Sequence, residues 1–80
     1  MVDDQMITQI LDCRGMYCPM PIVKINKAVK GIESGQLIKV MCTDPGSESD
    51  FPAWAKKTGN TIVESSHDAN VFTFVVKKTA

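Results

Sequence analysis

The sequence predicts an α/β chain of the α+β kind, a two-layer sandwich in the order β-α-β-α-β-β. A four-stranded mixed sheet is expected to carry both helices on one face. Three observations predict it. Ile22, Ile25, Val29 and Ile32 recur at helical spacing, and Phe51, Trp54 and Ala55 do so again further on. Short runs rich in β-branched residues flank and follow these stretches. The alternation of strand and helix calls for a parallel pair, and the final two runs, joined by a short polar link, call for an antiparallel hairpin. Two apolar helical stripes need a common surface, and one face of a sheet provides it.

The elements follow in order. Met6 to Asp12 reads as the first strand, with Ile7, Ile10 and Leu11 giving it weight. Cys13 to Tyr17 is a connecting loop that Gly15 allows to turn sharply. The first helix is expected from about Pro19 to Lys30, with Pro19 and Pro21 in its first turn, where a missing N–H costs no intrahelical bond. Lys24, Lys27 and Lys30 lie away from its apolar stripe. Leu37 to Cys42 is the second strand, with Ile38, Val40 and Cys42 on one face. After the turn cluster Thr43-Asp44-Pro45-Gly46, Ser47 or Ser49 is expected to cap a second helix. Pro52 is expected in the first turn of that helix, and Gly59 ends it. Thr61 to Ser65 is the third strand, His67 to Asn70 the hairpin link, and Val71 to Lys77 the fourth strand.

The chain of 80 residues reads as a single domain over 1–80, with an ordered core at about 6–78. Lys+Arg and Asp+Glu are 9 each, a balance that argues against direct, stable nucleic-acid binding. No run of 18 apolar residues is present, so no membrane association is expected. Met1-Val2-Asp3-Asp4 is acidic and unlike a secretory leader, which makes the cytoplasm the expected location. Thiols are kept reduced there, so the three cysteines read as thiols. A monomer is expected.

Cys18 is the candidate reactive group. It stands where the loop becomes a helix, and a helix N-terminus carries roughly half a positive charge, which favours the thiolate. The one histidine, His67, is distant in sequence, so activation would rest on the helix end and on Arg14. That suits transfer of sulfur between thiols better than acyl transfer, which needs an adjacent base. Cys13 and Cys18 are not spaced as a C-x2-C redox pair or zinc half-site, and no metal site is expected. Cys13 reads as a strand-end core residue, or else as a resolving thiol for Cys18; Cys42 reads as core. Asp44 and Asp50 read as local capping groups, or else as a polar patch near the mouth of the Cys18 loop. Met16 and Met20 flank the cysteine as packing or as an apolar collar. Trp54 reads as a core anchor.

The segment Leu11-Asp12-Cys13-Arg14-Gly15-Met16-Tyr17-Cys18-Pro19-Met20-Pro21 resembles the signature of the TusA/SirA-like sulfur-carrier family, a Cys-Pro-x-Pro motif preceded by Asp-x-x-Gly. Asp44-Pro45 and Asp50-Phe51-Pro52 match a second family segment. The resemblance implies the same β-α-β-α-β-β sandwich, no cofactor, and a sulfurtransferase-type relay in which Cys18 carries sulfane sulfur as a persulfide. It implies a protein donor, such as a cysteine desulfurase or a rhodanese, and a protein acceptor, in sulfur metabolism or tRNA thiolation. Arg14, Gly15, Pro19, Pro21, Asp44 and Asp50 would support the site. Many members carry a non-thiol residue in place of Cys13. A Cys13–Cys18 disulfide would release the sulfur as sulfide or protect against overoxidation. Two other readings stand beside the carrier: an adaptor that binds a partner through the methionine-flanked loop and the lysine face, and a Cys13/Cys18 thiol–disulfide redox protein.

Overall fold

The computed structural model describes residues 7–17 and 20–79. Its elements are β1 (Ile7–Cys13), α1 (Met20–Lys30), β2 (Leu37–Cys42), α2 (Ser47–Thr58), β3 (Thr61–Asp68) and β4 (Val71–Lys77), in the expected order. The expected strand residue Met6 and helix residue Pro19 lie outside the described residues, as does Cys18.

Val71-Phe72-Thr73-Phe74-Val75-Val76 is made almost wholly of β-branched and aromatic residues, which pack well against cross-strand neighbours. It is placed inside the sheet, whose order is β1-β2-β4-β3. β1 and β2 run parallel, while β4 runs antiparallel to both β2 and β3. The sheet is thus mixed, as predicted.

Ile38, Val40 and Cys42 of β2 alternate into one core cluster with Phe72, Phe74 and Val76 of β4. The helices cover that face: Ile25 and Val29 of α1, and Phe51, Trp54 and Ala55 of α2, belong to the same cluster. Phe51 is fully buried, stacked on Phe74 at 4.6 Å between ring centroids and edge-on to Trp54 at 6.5 Å. Trp54 Nε1 donates to Asn26 Oδ1 at 3.4 Å, tying α2 to α1. Lys24, Lys27 and Lys30 are exposed, as expected.

Several local expectations need correction. The third strand continues past Ser65 to Asp68, and His67 belongs to it rather than to the turn. Only Ala69 and Asn70 remain as the link, with Ala69 at φ 53°. The polar run Ser65–Asp68 has turn-like composition, but pairing with β4 outweighs that local preference. Neither Ser47 nor Ser49 caps α2. Gly46 occupies the cap position without a side-chain cap bond, and Ser49 Oγ donates to the Gly46 carbonyl at 3.2 Å. Asp44 organises the entry instead, its Oδ1 accepting from the Gly46 N–H at 3.1 Å. Because the helix begins at Ser47, Pro52 falls in its second turn, not its first. It is exposed there, and it deprives only the Glu48 carbonyl of an intrahelical partner. Gly59 ends the helix at φ 80° as expected, its N–H donating to the Ala55 carbonyl.

Candidate functional site

Parallel pairing brings the exits of β1 and β2 side by side, with Cys13 opposite Cys42 at the end of both strands. The two loops that follow meet at this end of the sheet. The β1–α1 loop is fixed by three sets of bonds. Asp12 accepts from Arg14 through Nε at 2.8 Å, Nη2 at 2.9 Å and the backbone N–H at 3.1 Å. This bidentate grip closes the strand exit on itself. The Met16 N–H donates to the Cys13 carbonyl at 3.2 Å, and Gly15 takes φ 81° within that turn, a conformation favourable only to glycine. Finally, the Gly15 N–H crosses to the β2 exit and donates to Thr43 Oγ1 at 2.9 Å.

The electrostatics follow from these contacts. The hydrogen bonds from Arg14 hold the Asp12 carboxyl down at about 2, and Asp12 in turn raises Arg14. The Arg14 guanidinium is therefore engaged by a carboxylate two residues away. Cys13 and Cys42 are both fully buried and their thiols interact with each other. Burial raises both thiols, Cys42 to about 11, against a smaller opposing effect of the Ser47 hydroxyl on Cys42. Neither carries appreciable thiolate at neutral pH.

The described residues on either side of Cys18 and Pro19 divide between core and surface. Met16 packs against the core, whereas Tyr17 is 78% exposed and Met20 is 46% exposed. The Met20 N–H donates to the Tyr17 carbonyl at 2.9 Å, joining the backbone on either side. Pro21 is buried at the start of α1. The two methionines thus divide, one into packing and one onto the surface.

Asp44 and Asp50 come together around Gly46, where an added Cβ would lie 3.5 and 3.6 Å from their carboxylate oxygens. Both sit at the positive end of α2, where carboxylates are favourable. His67 lies across the sheet on β3, its ring stacked on Phe72 at 4.2 Å. Two residues with a place at this site escaped the sequence reading. Tyr17 could have been noted as the aromatic next to Cys18. Thr43 carries no signal, because its bond to Gly15 spans 28 positions and exists only through the parallel pairing. No cluster of three or more metal-ligating side chains occurs among the described residues. No helix among them is long and apolar enough to cross a membrane.

Comparison with known proteins agrees with this geometry. The model of the family described as Sulfurtransferase TusA matches residues 9–78. The chain is 46% identical over 70 residues to the sulfur carrier protein TusA of Allochromatium vinosum, covering 88% of this chain and 92% of that protein. It is 39% identical over 70 residues to the putative sulfur carrier protein YrkI of Bacillus subtilis, covering 88% and 93%. In architecture it is similar to the crystal structure of a SirA-like protein from Desulfitobacterium hafniense. The TM-score is 0.78 at 22% identity, over 90% of this chain and 99% of that one, a likeness of fold.

Proposed function

The chain belongs to the sulfurtransferase TusA family, and we propose that it relays sulfane sulfur as a persulfide on Cys18. The observation that carries this reading is the fate of the other two cysteines. Cys13 and Cys42 are fully buried with raised thiols, so a sulfur-carrying role falls to the remaining one. The Cys18 thiolate attacks the outer sulfur of a donor persulfide. A new S–S bond forms on Cys18, the donor S–S bond breaks, and the donor cysteine leaves as thiolate. In the second half an acceptor thiolate attacks the outer sulfur, and Cys18 leaves as thiolate. Neither half needs an added oxidant or reductant.

The donor is a protein such as a cysteine desulfurase or a rhodanese, and the acceptor a protein of sulfur metabolism or tRNA thiolation. The carrier works in the cytoplasm as a monomer. The clamp of Asp12, Arg14, Gly15 and Thr43 supports the loop, and Pro19 and Pro21 reduce the freedom of the segment that bears the sulfur. Asp44 and Asp50 shape the adjoining loop. Cys13 has Cys42 as a thiol neighbour and takes no part in loading.

The test is intact-mass spectrometry after incubation with a cysteine desulfurase and cysteine, and separately with a rhodanese and thiosulfate, without reductant. A gain of about one sulfur atom is expected in the wild type, Cys13→Ser and Cys42→Ser proteins, reversible by dithiothreitol and absent from Cys18→Ser. Loading that persists in Cys18→Ser, or that no donor produces, refutes the assignment.

A further inference from the structure

β3 ends the sheet, and among the described residues its outer side pairs with no other strand. Exposed edges are usually blunted by lysine, proline or a bulge. Thr61–Asp68 contains no lysine, arginine or proline, and its register irregularity is confined to Ile62–Glu64. The half from Ser65 to Asp68 is therefore regular, exposed backbone. Alternation counted from the two-residue turn directs the N–H and C=O groups of Ser65 and His67 away from β4.

Beside this edge lies a cleft of about 600 Å³ between α2 and β3, within the size range of ligand sites. Phe72 and Phe74 contribute to it from the core face of β4. Ser65 and His67 share that face, being opposite Phe74 and Phe72 in the register. Glu48 and Pro52 of α2 form the other wall. Among the described residues, Glu48 is the one Asp, Glu, Lys or Arg side chain in the lining, and it is exposed. A helix standing beside an unpaired edge strand is the arrangement in which an extended peptide adds to a sheet: main-chain bonds give affinity and alternate side chains enter the groove.

We infer that the α2–β3 groove docks an extended segment of a partner protein, added as a fifth strand along Ser65–Asp68, with a lysine or arginine opposite Glu48. The charge of the groove selects that side chain, and the apolar floor selects aliphatic neighbours for it. Cys13, Cys42, Phe72 and His67 form one row across the sheet. Three interstrand steps put the docking edge about 14 Å from the β1 exit. A partner held there stands over the end of the sheet from which the Cys18 loop emerges. The docking itself does not depend on sulfur transfer.

Phage-displayed random dodecapeptides selected on the full chain test the inference without a known partner. Enriched peptides are expected to alternate aliphatic residues around one lysine or arginine. A synthetic copy is expected to protect the amides of Ser65 and His67 from hydrogen exchange. Its binding should fall at least about tenfold in Glu48→Lys and in Ser65→Pro, and remain unchanged in Lys24→Glu on α1. Glu48→Lys alters an exposed side chain and keeps the test valid should Ser65→Pro fail to fold. Failure to enrich such peptides, equal binding by Glu48→Lys, or protection elsewhere overturns the inference. So does concentration-dependent protection of β3 without peptide, which would make a second copy of the chain the occupant.

Discussion

Selective chemistry at one of three cysteines is the sharpest quantitative consequence of the fold. The perturbation is alkylation of the native protein with N-ethylmaleimide at pH 8, in wild type and Cys18→Ser. A thiol near the ordinary value of about 8.5 is about one-quarter thiolate at that pH. Cys42, raised to about 11, is about one part in a thousand thiolate, which gives a ratio of about two hundred before access is considered. Cys42 and Cys13 are also fully buried, so reagent reaches them only through opening of the fold. One label should therefore enter quickly and the other two together and far more slowly, with the slow phase accelerating in urea as the protein unfolds. Cys18→Ser should lose the fast phase and keep the slow one. Raising the pH from 8 to 9 should speed the fast phase no more than a few-fold, because a thiol of ordinary value passes only from about one-quarter to about three-quarters thiolate, whereas the thiolate of Cys42 rises about tenfold with each unit up to its own value. Intact-mass spectrometry over time reads all of this. Labelling of Cys13 or Cys42 within tenfold of the fast rate in the folded protein would refute the argument that burial reserves the sulfur chemistry for Cys18.

Two further outcomes concern the loop. Thr43→Val removes the acceptor for the Gly15 N–H; it should cost about 0.5–1.5 kcal/mol and slow sulfur loading several-fold, while Thr43→Ser restores the rate. Equal loading rates for Thr43→Val and wild type would remove Thr43 from the positioning role. The Asp12 carboxyl should titrate with a midpoint at about 2, moving toward 3.8 in Arg14→Ala, as read by its carboxyl-carbon NMR shift. Since the folded value lies below the unfolded one, the stabilisation from this pair is fully present above about pH 4 and is lost as the pH falls through about 2. A wild-type midpoint near 3.8 would show that the Arg14 clamp does not hold in solution.

Element order was legible because each helix announces itself by a stripe and each strand by a β-rich run. Ile25 and Val29, and Phe51, Trp54 and Ala55, are buried as their spacing requires. What was not legible depended on partners distant in sequence. His67-Asp68 reads as part of a turn by composition and becomes strand only because Phe72 and Val71 lie opposite. Serines at 47 and 49 look like caps, but the Asp44 carboxylate reaches the Gly46 N–H and starts the turn earlier. The insertion of β4 between β2 and β3 was not legible, because it rests on pairings across the sheet and not on any local pattern.

The same distinction governs the candidate site. The candidate reactive atom is local information, one cysteine in a Cys-Pro-x-Pro motif. Its selectivity is not local. Cys13 is five residues from Cys18 and invites a pairing with it, yet the strand register sets it opposite Cys42, 29 positions away along the chain. That register places two thiols in the core, where desolvation disfavours their thiolates. It also sets Thr43 within reach of Gly15, so one parallel pairing both buries the competing thiols and anchors the loop that leads to the third. A change that slips β1 against β2 by one residue would turn Cys13 to the opposite face of the sheet. Selectivity among the three thiols of this chain is thus a matter of strand register as much as of the Cys-Pro-x-Pro motif.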